Sequence, residues 1–140
     1  MISSKKYLKP SAILLCLLVF STLATGLSEG LTPERLWELG HLSDPQVSPD
    51  GQWVVYGVSI YDIQGNKANR DLYLVSSRGG EARLITAFQG SEFHARWHPN
   101  GQRIGFLSAE SGSVQLWEMN PSGSDKARLT DVEGGISNFL

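Results

Sequence analysis

"SPDGQWVVYG" (residues 48–57) has a near copy in "HPNGQRIGFL" (98–107), fifty residues further along the chain. Each copy runs proline, then Asp or Asn, then glycine and glutamine, and then an apolar stretch. Pro49 and Pro99 fix φ near the value required at the first central position of a type I turn. Asp50 and Asn100 suit the next position and bond locally to backbone. Gly51 and Gly101 supply the positive φ that completes a type I turn with a bulge, so each copy reverses the chain into a hairpin. Beyond the turn, Val54 and Tyr56 in one copy, and Ile104 and Phe106 in the other, alternate at period two and are expected on one buried face.

The flanking residues repeat as well. "PQVSPDGQWVVYGVS" (45–59) matches "ARWHPNGQRIGFLSA" (95–109), and "DLYLVSSRGGEARLIT" (71–86) matches "QLWEMNPSGSDKARLT" (115–130). In the second pair Tyr73 answers Trp117, Val75 answers Met119, and Arg83-Leu84 is set against Arg128-Leu129 ahead of Thr86 and Thr130. The first unit carries a longer middle segment, "IYDIQGNKANR", where the second has only "ESGS". A period in the forties with several strands per unit is the signature of a propeller blade. The expected strands are 45–48, 52–59, 71–76 and 82–86, then 94–98, 102–109, 114–119 and 127–130. "ISNFL" (136–140) opens a third unit. Propellers close with about four to eight blades. The fold class is therefore all-β, an incomplete β-propeller of two four-stranded blades and the start of a third, spanning 45–140. The alternative is an independent eight-stranded sandwich. Two blades alone leave apolar faces and strand edges uncovered, so residues 27–140 expressed alone are expected to be poorly soluble.

Two shorter segments precede the blades. Residues 1–26 combine Lys5, Lys6 and Lys9 with the apolar run Ala12–Phe20 and the small residues of "STLATG", where Thr22/Ala24 or Ala24/Gly26 could set the cleavage point. This is the pattern of a secretory signal. Nine uninterrupted apolar residues fall short of the roughly 18–20 that a spanning helix needs, so no stable membrane span is expected after cleavage; retention as an anchor is the alternative. Removal would take the formal charge from −2 to −5 and delete Cys16, the sole cysteine, which excludes disulfides and a thiol nucleophile. The expected destination is periplasmic or extracellular. Residues 27–44 form a linker with one short helix, capped by Thr32, started by Pro33 and Glu34 and stopped at Gly40. Leu36, Trp37 and Leu39 give it an apolar surface to dock on something larger.

These motifs resemble a known group. The Pro-Asp-Gly turn with "DLYLV…GGEARLIT" resembles the repeat of TolB-like propellers. The opening "LTPERLWELGHLSDPQVSPDGQWVVYGVS" (31–59) resembles the start of bacterial serine peptidases of the prolyl oligopeptidase family, in its dipeptidyl-peptidase and acylaminoacyl-peptidase branches. The resemblance covers residues 31–140. It implies a propeller that restricts access of short peptide substrates to an α/β-hydrolase domain bearing a Ser, Asp and His triad. None of those triad residues maps onto this chain, because that domain would follow Leu140. The chain itself is then not expected to hydrolyse peptides. The alternative is a TolB-like envelope propeller that works by protein–protein binding. TolB-like proteins place an α/β domain before the propeller, and only a short helix stands there in this sequence.

Within the chain, the candidate chemical motifs dissolve on inspection. "GLSEG" (26–30) fits the nucleophile elbow G-x-S-x-G, but Ser28 lacks the preceding strand and following helix that the elbow requires. His94 and His98 have helical metal-ligand spacing but fall on a strand and beside a turn, with no third ligand in view. His41 sits in a loop without an identifiable partner. Trp97 and Trp117 occupy positions facing neighbouring blades, which makes them packing residues, and Trp53 stands where Arg103 stands in the other unit, at the blade surface. The glycine pairs 79–80 and 134–135 read as turns, and the scattered acidic residues as a solvated surface. The sequence assigns no catalytic, cofactor-binding or metal-binding residue, implies no cofactor, and shows no basic patch for nucleic acid.

Overall fold

The computed structural model describes residues 30–140, and its blades lie within one compact unit, Thr32–Leu140. The signal-like segment, Cys16 and Ser28 lie outside the described residues. One helix, α1 (Pro33–Glu38), precedes two antiparallel four-stranded sheets. The first contains β1 (His41–Val47), β2 (Trp53–Asp62), β3 (Lys67–Ser76) and β4 (Arg83–Leu84), hydrogen-bonded in that order. The second contains β5 (Glu92–Trp97), β6 (Ile104–Ser108), β7 (Gln115–Met119) and β8 (Ala127–Arg128), again in order. Two successive meanders of this kind are two propeller blades.

The paired turns form as their sequences require. The amides of Gly51 and Gly101 donate to the carbonyls of Ser48 and His98 at 2.9 and 2.8 Å, with φ of +72° and +73°. Asp50 Oδ1 and Asn100 Oδ1 each accept the amide two residues on, at 3.0 Å. In the first turn Ser48 Oγ also accepts from the Trp53 amide at 2.9 Å and donates to Asp50 Oδ1. That hydroxyl, followed by the Gln52 amide, holds the Asp50 carboxyl below the usual carboxylate range. At the helix, Thr32 Oγ1 accepts from the Arg35 amide at 3.3 Å and Pro33 takes the first turn. Leu39 is already extended, so Gly40 serves clearance rather than termination: a Cβ there would stand 2.8 Å from Val58 Cγ1.

Several boundaries differ from the sequence reading. β1 begins at His41, four residues before Pro45, and crosses a bulge between Ser43 and Gln46. The "IYDIQGNKANR" segment is no loop. It lengthens β2 and β3 into a hairpin paired out to Asp62 and Lys67, closed by Asp62 Oδ1 accepting the Gly65 amide at 3.0 Å. The outer strands shrink to two residues each, because a threonine side chain then takes over from backbone. Thr86 Oγ1 accepts the Leu72 amide at 2.8 Å and Thr130 Oγ1 the Leu116 amide at 2.9 Å. Matching those threonines places Leu84, opposite Tyr73, at the position of Arg128, opposite Trp117. The sequence alignment of Arg83-Leu84 with Arg128-Leu129 is thus one residue out of step.

The core lies between the blades and uses unlike faces of each. Val55, Leu72, Leu74 and Ile85 of the first blade meet Ala95, Ile104, Phe106 and Met119 of the second, with Trp97 and Trp117 packed against them. Ile104 and Phe106 therefore sit on a buried face, as the alternation predicts. Their counterparts Val54 and Tyr56 do not: they are half-buried on the outer side of the first sheet, where Tyr56 stacks on Tyr73 at 5.9 Å and Leu42 and Val47 stand exposed. On the far face of the second blade, the 136–140 segment begins a similar cover. Ile136 donates to Val114 at 2.8 Å, and a Cβ on Gly105 would meet the Phe139 ring at 3.2 Å.

Nothing lies within 4 Å of a Cβ built on Gly51, so Gly51→Ala tests backbone strain alone. It should lower stability by about 1–2 kcal/mol, read as a lower urea midpoint at unchanged m value.

Candidate functional site

The seam where the two blades meet holds the chain's unusual polar chemistry, and it begins at the inner strands. Each inner strand carries a bulge, between Ser43 and Gln46 in β1 and between Phe93 and Arg96 in β5. At each bulge a non-glycine residue takes positive φ, Asp44 at +51° and His94 at +57°. The bulges turn these side chains toward the next repeat. Asp44 pairs with Arg96 of the second blade at 3.0 Å, and Trp97 Nε1 donates to the Gln46 carbonyl at 3.1 Å. One repeat on, His94 Nε2 lies 3.1 Å from the Phe139 carbonyl, with the two rings edge to face.

Glu92 opens β5 at the other end of the seam. It is fully buried, and neither carboxylate oxygen has a hydrogen-bond partner among the described residues. Burial, and then the charge of Asp71, push its pKa up to about 7; Thr86, lying near without hydrogen-bond geometry, and Lys126 oppose the shift. Asp71, half-buried on β3 and on the sheet face of Tyr73 rather than that of Leu72, is raised as well by burial, although Asn69 Nδ2 donates to its Oδ2 at 2.9 Å. Its Oδ1, the Asn69 Oδ1, and Nε and Nη2 of Arg70 are buried without partners. A groove lined by Ile60, Asp62, Lys67, Asn69, Asp71 and Gln89 leads to this cluster.

The second blade solves the equivalent position differently. Gln115 stands where Asp71 stands, and all its bonds are made: Oε1 accepts from Thr130 Oγ1 and the Val132 amide, and Nε2 donates to Ser113 Oγ and the Val132 carbonyl. Reading the acidic residues as a solvated surface therefore fails at Glu92. The signal was present in the repeat, since Glu92, opposite Ser108, occupies the place of Leu42, opposite Val58.

The other candidates scatter. His98 takes the turn position of Ser48, its Nδ1 accepting from the Asn100 amide at 3.3 Å. His41, expected without partners, packs its ring 5.2 Å from Tyr61, which Trp37 also meets at 5.3 Å; the helix thereby docks on the lengthened hairpin. Trp97 and Trp117 pack in the core, and Trp53 lies at the surface. Arg103, by contrast, reaches Glu118, Asn120 and the Asp125 carbonyl. Glycines 79–80 and 134–135 all take positive φ in turns. Among the described residues no group of three or more His, Cys, Asp or Glu is placed to hold a metal, and no helix is long and apolar enough to cross a membrane.

This architecture places the chain with propeller blades. No protein-family model matches it. Its fold is similar to the β-propeller domain of the Trilobed protease of Pyrococcus furiosus, at TM-score 0.51 and 22% identity over 65% of this chain and 28% of that one. It is also similar to the acylaminoacyl peptidase of Pyrococcus horikoshii (0.57, 18%, covering 69% and 15%) and to a putative TolB of Agrobacterium tumefaciens (0.53, 26%, covering 67% and 31%). In sequence, it is 42% identical over 116 residues to dipeptidyl-peptidase 5 of Porphyromonas gingivalis and 35% over 119 residues to that of Porphyromonas endodontalis. Those alignments take in 83% and 85% of this chain but only 17% of either relative. The chain is thus homologous to a minor part of dipeptidyl-peptidase 5, a longer peptidase, with TolB-like structural neighbours.

The seam should tolerate loss of its ion pair far better than loss of its ring. Arg96 and Asp44 are each about a third exposed, so Arg96→Ala should cost under about 1 kcal/mol. Phe106→Ala empties the centre of the core and should cost about 3–5 kcal/mol. Urea titration of the two variants side by side checks the contrast.

Proposed function

We propose that this chain is the propeller part of an exported serine peptidase of the prolyl oligopeptidase family. In the whole protein the propeller would limit access of short peptides to an α/β-hydrolase domain in the same polypeptide. The observation that carries this reading is the 42% identity to dipeptidyl-peptidase 5, confined to 17% of that protein. The relative's name makes it a peptidase acting on dipeptide units, and a gating role is what a blade pair without its own reacting groups could contribute. The exposed Leu42 and Val47 beside half-buried Tyr56 and Tyr73 suit a sheet face that further blades cover. Export rests on the lysines and apolar run of residues 1–26.

A second reading, a TolB-like propeller that binds proteins, draws on the 26% identity to the putative TolB. The two separate on the reading frame beyond the Leu140 codon and on the polypeptide it encodes. A peptidase should carry further Pro-Asp-Gly blades and then G-x-S-x-G, Asp and His in order. Expressed whole, it should react with a fluorophosphonate probe, release nitroaniline from dipeptidyl nitroanilides, and fractionate outside the cytoplasm. Further blades ending in a stop codon, with no fluorophosphonate labelling, would overturn the enzyme reading in favour of binding. Activity confined to the cytoplasm would overturn export alone.

A further inference from the structure

We propose that Glu92 makes the joint between the two blades proton-controlled: the seam packs around a protonated Glu92, and loss of that proton loosens it. The inference goes beyond the peptidase reading and does not depend on it. An ionised carboxylate buried without hydrogen bonds is unfavourable by several kcal/mol, so the group either keeps its proton or gains water. Glu92 sits on the first strand of the second blade, on the face turned to the first, and exposes no surface to solvent, so hydrating an ionised carboxylate there requires the packing around it to open.

The charged groups around Glu92 do not supply a ready counter-ion. Asp71 on β3 and Glu110 in the β6–β7 turn both disfavour its ionisation. Lys126, ahead of β8, favours it but is committed to an ion pair with Glu110. Arg70 shares the seam-facing side of β3 with Leu72 and Leu74, but its guanidinium lies over Gly57 and makes no bond to Glu92. The repeat shows that neither acid is required by the fold, since Leu42 and Gln115 fill the equivalent positions.

The sign follows from the raised value. Between about pH 4.5 and 7 the folded protein holds a proton that the unfolded or opened form has released. The closed seam therefore loses stability as pH rises through that window and levels off above it. Suitable reporters are the amides of Leu72, bonded to Thr86 Oγ1, and of Ile85, bonded to the Leu72 carbonyl.

The test is hydrogen exchange on the full chain, corrected for intrinsic rates, with Glu92→Gln as the comparison. Protection of Leu72 and Ile85 should fall roughly a hundredfold from pH 5 to pH 8 in the parent and stay level in the variant. Equal slopes in both would overturn the proposal. Should Glu92→Gln not fold, a carboxyl-carbon NMR titration of the parent decides: a midpoint near 7 supports the joint, and an ordinary glutamate value refutes it. Asp71→Gln, which copies Gln115, should lower that midpoint while leaving the blades folded.

Discussion

The contact between unlike faces of successive blades is the constraint on which the rest of this structure depends. An isolated meander of short strands buries too little to be stable by itself. The aliphatic face of the first blade, Val55, Leu72 and Leu74, is covered only because the second presents Ile104, Phe106 and Met119 to it. At roughly 1.5–3 kcal/mol for each fully buried aliphatic or aromatic side chain, that single interface outweighs any polar contact at its rim. The inner-strand bulges, the Trp97–Gln46 bond and the Asp44–Arg96 pair are all placed by it. The bond and the ion pair link one blade to the next, and the bulges, each formed within its own sheet, aim side chains along that link.

What could be read from the sequence follows from which constraints are local. The Pro-Asx-Gly turns were legible because backbone angle and side-chain capping are properties of four adjacent residues. The outer strands were placed correctly but read too long, since Thr86 and Thr130, expected as their last residues, bond the neighbouring strand through their hydroxyls after the strands have ended at Leu84 and Arg128. Pair burial was not legible. Val54 and Tyr56 have the same pattern as Ile104 and Phe106, yet burial depends on whether another sheet lies on top. The hairpin extension was hidden because "IQGNK" has loop composition, whereas its flanks pair as strands around a turn closed by Asp62 and by Asn66 at positive φ. Once that hairpin projects, His41 and Trp37 acquire Tyr61 as a shared partner that no local pattern shows.

The polar seam was legible only in part, for a related reason. An acidic residue in a strand reads as solvent-facing unless the repeat is used as a template. Aligned on its own copy, Glu92 replaces Leu42, and Asp71 takes the place of the fully bonded Gln115. That substitution pattern was present in the sequence. The burial that gives it consequences arises only when the blades stack.

The two ends of the seam show opposite uses of charge. At the inner edge, Asp44 and Arg96 are complementary, bonded and still partly solvated, so the pair aligns the blades and contributes little energy. At the other end, Glu92 is buried without a hydrogen-bond partner, and the charge of Asp71 on the first blade further disfavours its ionisation. Stability alone would favour leucine at one position and an amide at the other, the residues this chain itself uses in the equivalent places. In the proton-controlled joint proposed here, an ionised Glu92 makes that contact weaker than a leucine there would. A contact weakened at one named point, within an interface otherwise built from close-packed apolar residues, is how a rigid stack of blades acquires a preferred place to open.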